Sequence, residues 1–218
     1  MDCFLSSVGK MQLPNADNGT NNGSKQKPTS IYVFNAFFMS MRNKFVGPNN
    51  SIHCYVVEWD PVVLNWKSFR SDLIGVTDPN VAKVGSLRNV ILQKYKELGL
   101  STKPNKGDNS IHASASPFEG FVEKLNWLQL KFTKGRHGDY DEIDDEFGNA
   151  LLRYGGISKE RILEWSKDPQ ILLSSSSSEK SSSSSPSGEG KRSSIFDTLE
   201  DMDVMDCYNR LVELNEIN

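Results

Sequence analysis

Asn109-Ser110-Ile111-His112-Ala113-Ser114-Ala115-Ser116-Pro117-Phe118-Glu119 is the stretch on which the fold of this chain turns. Its second half is a strong helix start, with a serine cap, a proline at the first helical position and a glutamate three residues past the cap. Phe118, Phe121, Val122, Leu125 and Leu128 then supply one continuous apolar stripe. The preceding Ser110–Ser114 reads as short and extended. His112 therefore stands where a chain enters a helix, a place where free amide groups and the macrodipole favour an anion.

Working outward, Ile31–Phe34 reads as a strand and Ala36–Phe45 as a short helix stopped by Gly47-Pro48-Asn49-Asn50. Ile52–Trp59 is apolar on both alternating faces, as expected of a strand covered on each side, with Asp60-Pro61 ending it. Trp66, Phe69, Leu73 and Ile74 are spaced for one helical face. Gly85-Ser86 precedes a helix whose buried stripe would be Leu87, Ile91, Tyr95 and Leu98, with Gly99 as its stop. Leu151-Leu152 and Ile162-Leu163-Trp165 mark small helices packed on the domain's end. This order predicts an α+β sandwich, helices on one face of a small, mostly antiparallel sheet.

The expected organisation has four parts. Residues 1–30 form a disordered arm around the polar run Asn15–Ser24, which has almost nothing to bury. Residues 31–170 form the folded domain. Residues 171–194 form a flexible linker, because thirteen serines occupy the twenty-one positions 174–194. Residues 195–218, with seven acids and one base, carry Ile195, Leu199, Met202, Met205, Leu211 and Val212 near helical spacing. A weak, solvated helix is the ordinary expectation there; docking onto a protein partner or back onto the core is the other.

The chain has 218 residues and a formal net charge of −3, which disfavours a strongly basic nucleic-acid binder. No window approaches the roughly 18 uninterrupted apolar residues of a membrane-spanning helix, and Met1-Asp2-Cys3-Phe4-Leu5 lacks a signal-peptide pattern. A soluble cytoplasmic protein without membrane contact is expected. Cys3, Cys54 and Cys207 form no CxxC pair, so reduced thiols are the default. Six acids within residues 139–146 lack the ligand spacing of a calcium loop and read as a solvated turn, leaving no expected metal ligands.

Three histidines could do chemistry. His53 alternates within an apolar strand and reads as a hydrogen-bonded core imidazole, whereas His137 lies in an expected exposed turn. His112 alone sits beside Asn109, small and hydroxyl residues and a capped helix. Asn109–Ser116 followed by Glu123 resembles the active-site segment of nucleoside diphosphate kinases, N-x-x-H-G-S-D-S with a glutamate eleven residues after the histidine. Asn109, His112, Ser114, Ser116 and Glu123 keep their places. Upstream, Leu73-Ile74-Gly75-Val76-Thr77-Asp78-Pro79 and Gly85-Ser86-Leu87-Arg88 are similar to that family's L-G-x-T-N-P…P-G-T-I-R stretch, with the same Thr77 to Arg88 spacing. Phe37-Phe38 and the Cys54–Trp59 strand look like its Phe-Phe segment and following strand.

The resemblance covers roughly residues 31–130. It implies a ferredoxin-like βαββαβ core, a homo-oligomer, and binding of nucleoside tri- and diphosphates with Mg²⁺. It also implies a phosphohistidine intermediate at His112, oriented by Glu123. Thr77, Arg88 and Asn109 would hold phosphate or ribose, Arg70 would be a further phosphate contact, and Phe38 or its neighbour would stack on the base. Glu119 is assigned to the helix cap instead. The pattern departs from the family in three places. The first strand, Val33-Phe34-Asn35-Ala36-Phe37, has no lysine to reach the transferring phosphate. Ala113 and Ala115 replace the glycine and aspartate around the serine. A long loop, Lys94–Asp108, carries Lys96, Lys103 and Lys106. Two functions follow: a divergent kinase, or a non-catalytic relative that keeps the fold for nucleotide binding or assembly.

Overall fold

A computed structural model describes residues 8–12, 30–34, 36–135, 138, 140–173 and 192–217. The chain divides into two compact units, Met1–Val56 and Val57–Asn218. It is a mixed α+β chain with small antiparallel sheets and several helices.

In the first unit, β1 (Val8–Gln12) pairs antiparallel with β2 (Ser30–Phe34), Lys10 opposite Tyr32, and α1 (Ala36–Val46) follows. The expected strand 31–34 and the helix after it are present. Residues 8–12, within the expected disordered arm, instead form a strand because β2 offers them a neighbouring backbone ladder; Asn15–Ser24 lie outside the described residues.

The expected strand at 52–59 does not form among the described residues, and Ile52, His53, Tyr55, Val56 and Val57 are exposed. A doubly covered strand needs a hydrogen-bonding neighbour on each edge, and none is supplied here. His53 is thus exposed and not a core imidazole. Trp59 instead turns inward. Its indole N–H donates to the Leu64 carbonyl at 2.7 Å, and its ring stacks on Phe69 at 4.3 Å, with Trp66 beside it at 4.9 Å.

The second unit begins its helices with α2 (Trp66–Ser68), which widens into a π-helical stretch, Phe69–Gly75. Phe69 and Ile74 are buried there while Leu73 is exposed, so Leu73 departs from the expected helical face. In α3 (Leu87–Lys94) the buried position is Leu92, and Leu87 and Leu98 are exposed. Of the expected stripe, Ile91 and Tyr95 are half-buried while its two ends are exposed, and Gly99 ends the turn at φ +77° as anticipated.

The main core surrounds α4 (Pro117–Trp127). Phe118, Phe121 and Val122 are buried as expected, whereas Leu128 lies past the helix and is exposed. Around them pack α5 (Glu146–Arg153) and α6 (Lys159–Trp165), which bury Leu151, Ile162 and Trp165. Phe118 meets Trp165 edge to face at 6.3 Å. Between α4 and α5 lies a two-stranded ribbon, β3 (Thr133–Lys134) with β4 (Asp141–Glu142). Asp145 corrects the expectation of a solvated acidic turn: its side chain is buried, pairs with Lys124, and accepts the Gly148 N–H at 2.8 Å as the cap of α5.

The C-terminal segment joins the same core. β5 (Gln170–Leu172) pairs with β6 (Arg192–Ser194), so both ends of the expected linker are strands; residues 174–191 lie outside the described residues, as does His137. Then α7 (Ile195–Leu199) and α8 (Val204–Ile217) bury Ile195, Leu199, Cys207, Leu211 and Leu214 against α4 and its neighbours. Docking back onto the core replaces the solvated helix. The acids ring the outside of a complete apolar face, so their number did not forbid burial of the other side. Burial pushes the Cys207 thiol up to about 12, against weaker opposing contacts from Phe118 and Ser116. Among the described residues no helix is long and apolar enough to cross a membrane.

Candidate functional site

His112 lies in a segment without regular secondary structure just before α4, where the expected extended stretch 110–114 forms no strand and Ser110 sits at φ +66°, and α4 presents Glu119 and Glu123 one turn apart toward it. The helix start that aims them is built as the sequence anticipates. Ser116 caps α4 by accepting the Glu119 N–H at 3.2 Å, and Pro117 occupies the first turn. The Glu119 carboxylate reaches one residue further back than a standard capping box and accepts the Ala115 N–H. Burial raises the proton affinity of Glu119 above the usual carboxylate range, and the nearby charge of Glu123 adds to this.

The His112 side chain is 67% exposed, with Nε2 against Glu123 Oε1. A carboxylate can only accept, so Nε2 carries the proton and Nδ1 keeps its lone pair in the neutral ring. Ser114 donates its hydroxyl to the second Glu123 oxygen at 2.6 Å. Both carboxylate oxygens are thereby fixed. Hydrogen bonding to Glu123 holds the His112 pKa above the ordinary histidine value despite partial desolvation. Burial opposes ionisation of Glu123, but its bonds to His112 and Ser114 prevail and lower its pKa. Ser114 had kept its place in the sequence pattern without a role; its role is to complete this chain. Trp66 holds it there, donating its indole N–H to the Ser114 carbonyl at 3.0 Å.

Arg88 is placed on α3 and faces the same region, but it is spent on the backbone. Its guanidinium donates to the Gly75 carbonyl at 2.6 Å and the Ile111 carbonyl at 2.9 Å, tying the end of the π-helical stretch to the residue before His112. Burial and the neighbouring Arg70 both weaken its hold on its proton. Gly75 is required for this arrangement: it sits at φ +97°, and a Cβ there would come within 2.6 Å of Ser86 Oγ. Asn109 donates its side-chain N–H to the Thr77 carbonyl at 3.0 Å, so these two candidates meet through Thr77's backbone while its hydroxyl side stays exposed.

Arg70 is also engaged. On the π-helical stretch, it pairs with Glu200 at 2.9 Å and Asp201 at 2.5 Å, and the two carboxylates raise its pKa against the effect of burial. Asp203 accepts the Trp66 N–H at 2.6 Å, and the Asp201 N–H donates to the Ala115 carbonyl at 2.9 Å. These three acids escaped the sequence reading. The only signal was the acidic excess of 195–218, with no indication of which cation it would meet. Phe38 lies on α1 of the first unit. Of the loop lysines, Lys103 and Lys106 are exposed, and Lys106 is near enough to Asp78 to help hold that carboxyl below its usual range, behind the larger effect of hydrogen bonds from Asn80.

His112, Glu119 and Glu123 place one ligand atom each within 4.8 Å of one another, yet each already has a protein partner. No family model, curated protein or solved structure matches this chain.

Proposed function

We propose that this chain is a divergent nucleoside diphosphate kinase, passing the γ-phosphate of a nucleoside triphosphate to a diphosphate through a phosphohistidine at His112. The observation that carries this is the Ser114–Glu123–His112 chain of hydrogen bonds ending on an exposed ring. With Nε2 protonated toward Glu123, Nδ1 is the nucleophile, and the charge left on the ring after attack is balanced by the carboxylate. In this reading Asn109, whose side chain donates to the Thr77 carbonyl, and Thr77 would supply contacts to the ribose or phosphate oxygens, as the sequence resemblance implies. Mg²⁺ would arrive with the nucleotide, and in phosphoryl transfer it neutralises charge on the phosphates. The ferredoxin-like βαββαβ arrangement, homo-oligomeric assembly and base stacking on Phe38 belong to the same proposal and rest on the sequence resemblance.

A second function, a non-catalytic nucleotide-binding or assembly module, is favoured by the engagement of both arginines. Arg88 holds carbonyls and Arg70 holds acids, so neither is free to cradle a transferring phosphate as they stand. Single-turnover labelling separates the two. The chain and its His112→Ala variant are incubated with Mg²⁺ and γ-labelled ATP, and an acid-labile, base-stable phosphoprotein is sought. Label absent from the variant and chased onto added diphosphate supports the kinase; nucleotide binding without label supports the module.

A further inference from the structure

We propose that Glu200 and Asp201, in the turn Glu200–Asp203, are internal competitors for phosphate, their carboxylates sharing the Nη1 of Arg70 on which a phosphate-bearing ligand would otherwise bond. This deepens the nucleotide reading above and rests on it. A guanidinium presents the same donor fork to a carboxylate and to a phosphate, so one excludes the other at the same nitrogens. Here Glu200 and Asp201 both bond Arg70 Nη1, at 2.9 and 2.5 Å.

The turn is delivered to that place by folding. Leu199 before it and Cys207 after it are fully buried. The Asp201 N–H is bonded to the Ala115 carbonyl, three residues past His112, and Asp203 accepts the Trp66 N–H. The acids themselves remain accessible, Glu200 51% and Asp201 36% exposed. Their side chains can therefore swing away while Leu199 and Cys207 stay packed. Arg70 and Arg88 repel one another across this region, and the turn is the anion that now offsets that repulsion. A polyphosphate would offset it equally well.

The test measures binding of Mg·ATP and of inorganic tripolyphosphate to the full chain by calorimetry, in the wild type and in Glu200→Gln/Asp201→Asn. Asparagine suits position 201, whose φ of +60° it tolerates. Freeing Arg70 is expected to tighten both ligands about tenfold, the effect of one charge-assisted contact, and adding Arg70→Gln should cancel the gain. Equal, measurable affinity in wild type and double variant would overturn the competition and leave nucleotide binding standing. Absence of binding in both chains would remove both.

Discussion

The core around α4 and the stretch from Ile52 to Leu98 both carry apolar side chains at regular spacing, yet they fare differently. Phe118, Leu151, Ile162, Leu199 and Leu211 are fully buried, whereas Tyr55 is 84%, Val62 92% and Val84 89% exposed. In the first region each amphipathic element meets others: α4 faces α5, α7 and α8. In the second, the described residues supply neither a strand to pair with 52–59 nor a helix to cover Leu87 and Leu98. Periodicity states which side of an element is apolar; burial also needs a partner, and the partner is a tertiary matter.

Truncation is the sharpest way to break this contrast. Phe118→Ala should cost about 3–5 kcal/mol in denaturant unfolding, the range for emptying a packed aromatic site, while Val84→Ala should stay within about 0.5 kcal/mol. A large loss at Val84 would mean that its face is covered in solution. Next comes the buried acid that links α4 to α5. Asp145→Ala removes a helix cap and leaves Lys124 without its partner, for an expected loss of about 2 kcal/mol; Asp145→Asn keeps the cap and should recover roughly half. Smaller again, Ser116→Ala removes the cap of α4 and should cost about 1 kcal/mol. That variant also loosens the start of the helix that carries Glu119 and Glu123, so the His112 ring should broaden or shift in its NMR spectrum.

The smallest effect separates a functional pair from a packed one. Glu123 raises the His112 pKa, so the pair's stabilisation is fully present below the ordinary histidine value and is lost as pH rises through the folded-state value. Unfolding free energy followed across that window should fall with pH in the wild type, by little because the ring is exposed, and the slope should vanish in Glu123→Gln. The His112 ring titration should move to lower pH in the same variant. An unmoved midpoint would deny the contact on which the proposed nucleophile depends.

Much of the site was legible from residues 109–123 because its contacts are local. A cap, a proline and a glutamate in the first turn follow from short-range geometry, while the pairing of Glu123 with His112 was anticipated through the family resemblance. The π-helical stretch was not legible, since one residue of register per turn changes which side chains share a face and nothing in Phe69–Gly75 announces it. Nor were the fates of the arginines. Arg88 reads from sequence as a phosphate contact and is a staple between two carbonyls; Arg70 reads the same way and is held by acids 130 and 131 residues further on.

By itself, then, the amino-acid sequence determined the α4 helix, its cap and the burial of Phe118, Phe121 and Val122, all of which depend on nearby positions. The tertiary structure alone decided that the acidic C-terminal segment would close the core and bring Glu200, Asp201 and Asp203 beside the candidate site. The physical reason is that local conformation follows from backbone sterics and short-range hydrogen bonds, whereas the choice among distant charge and apolar partners is made only when burial brings them together.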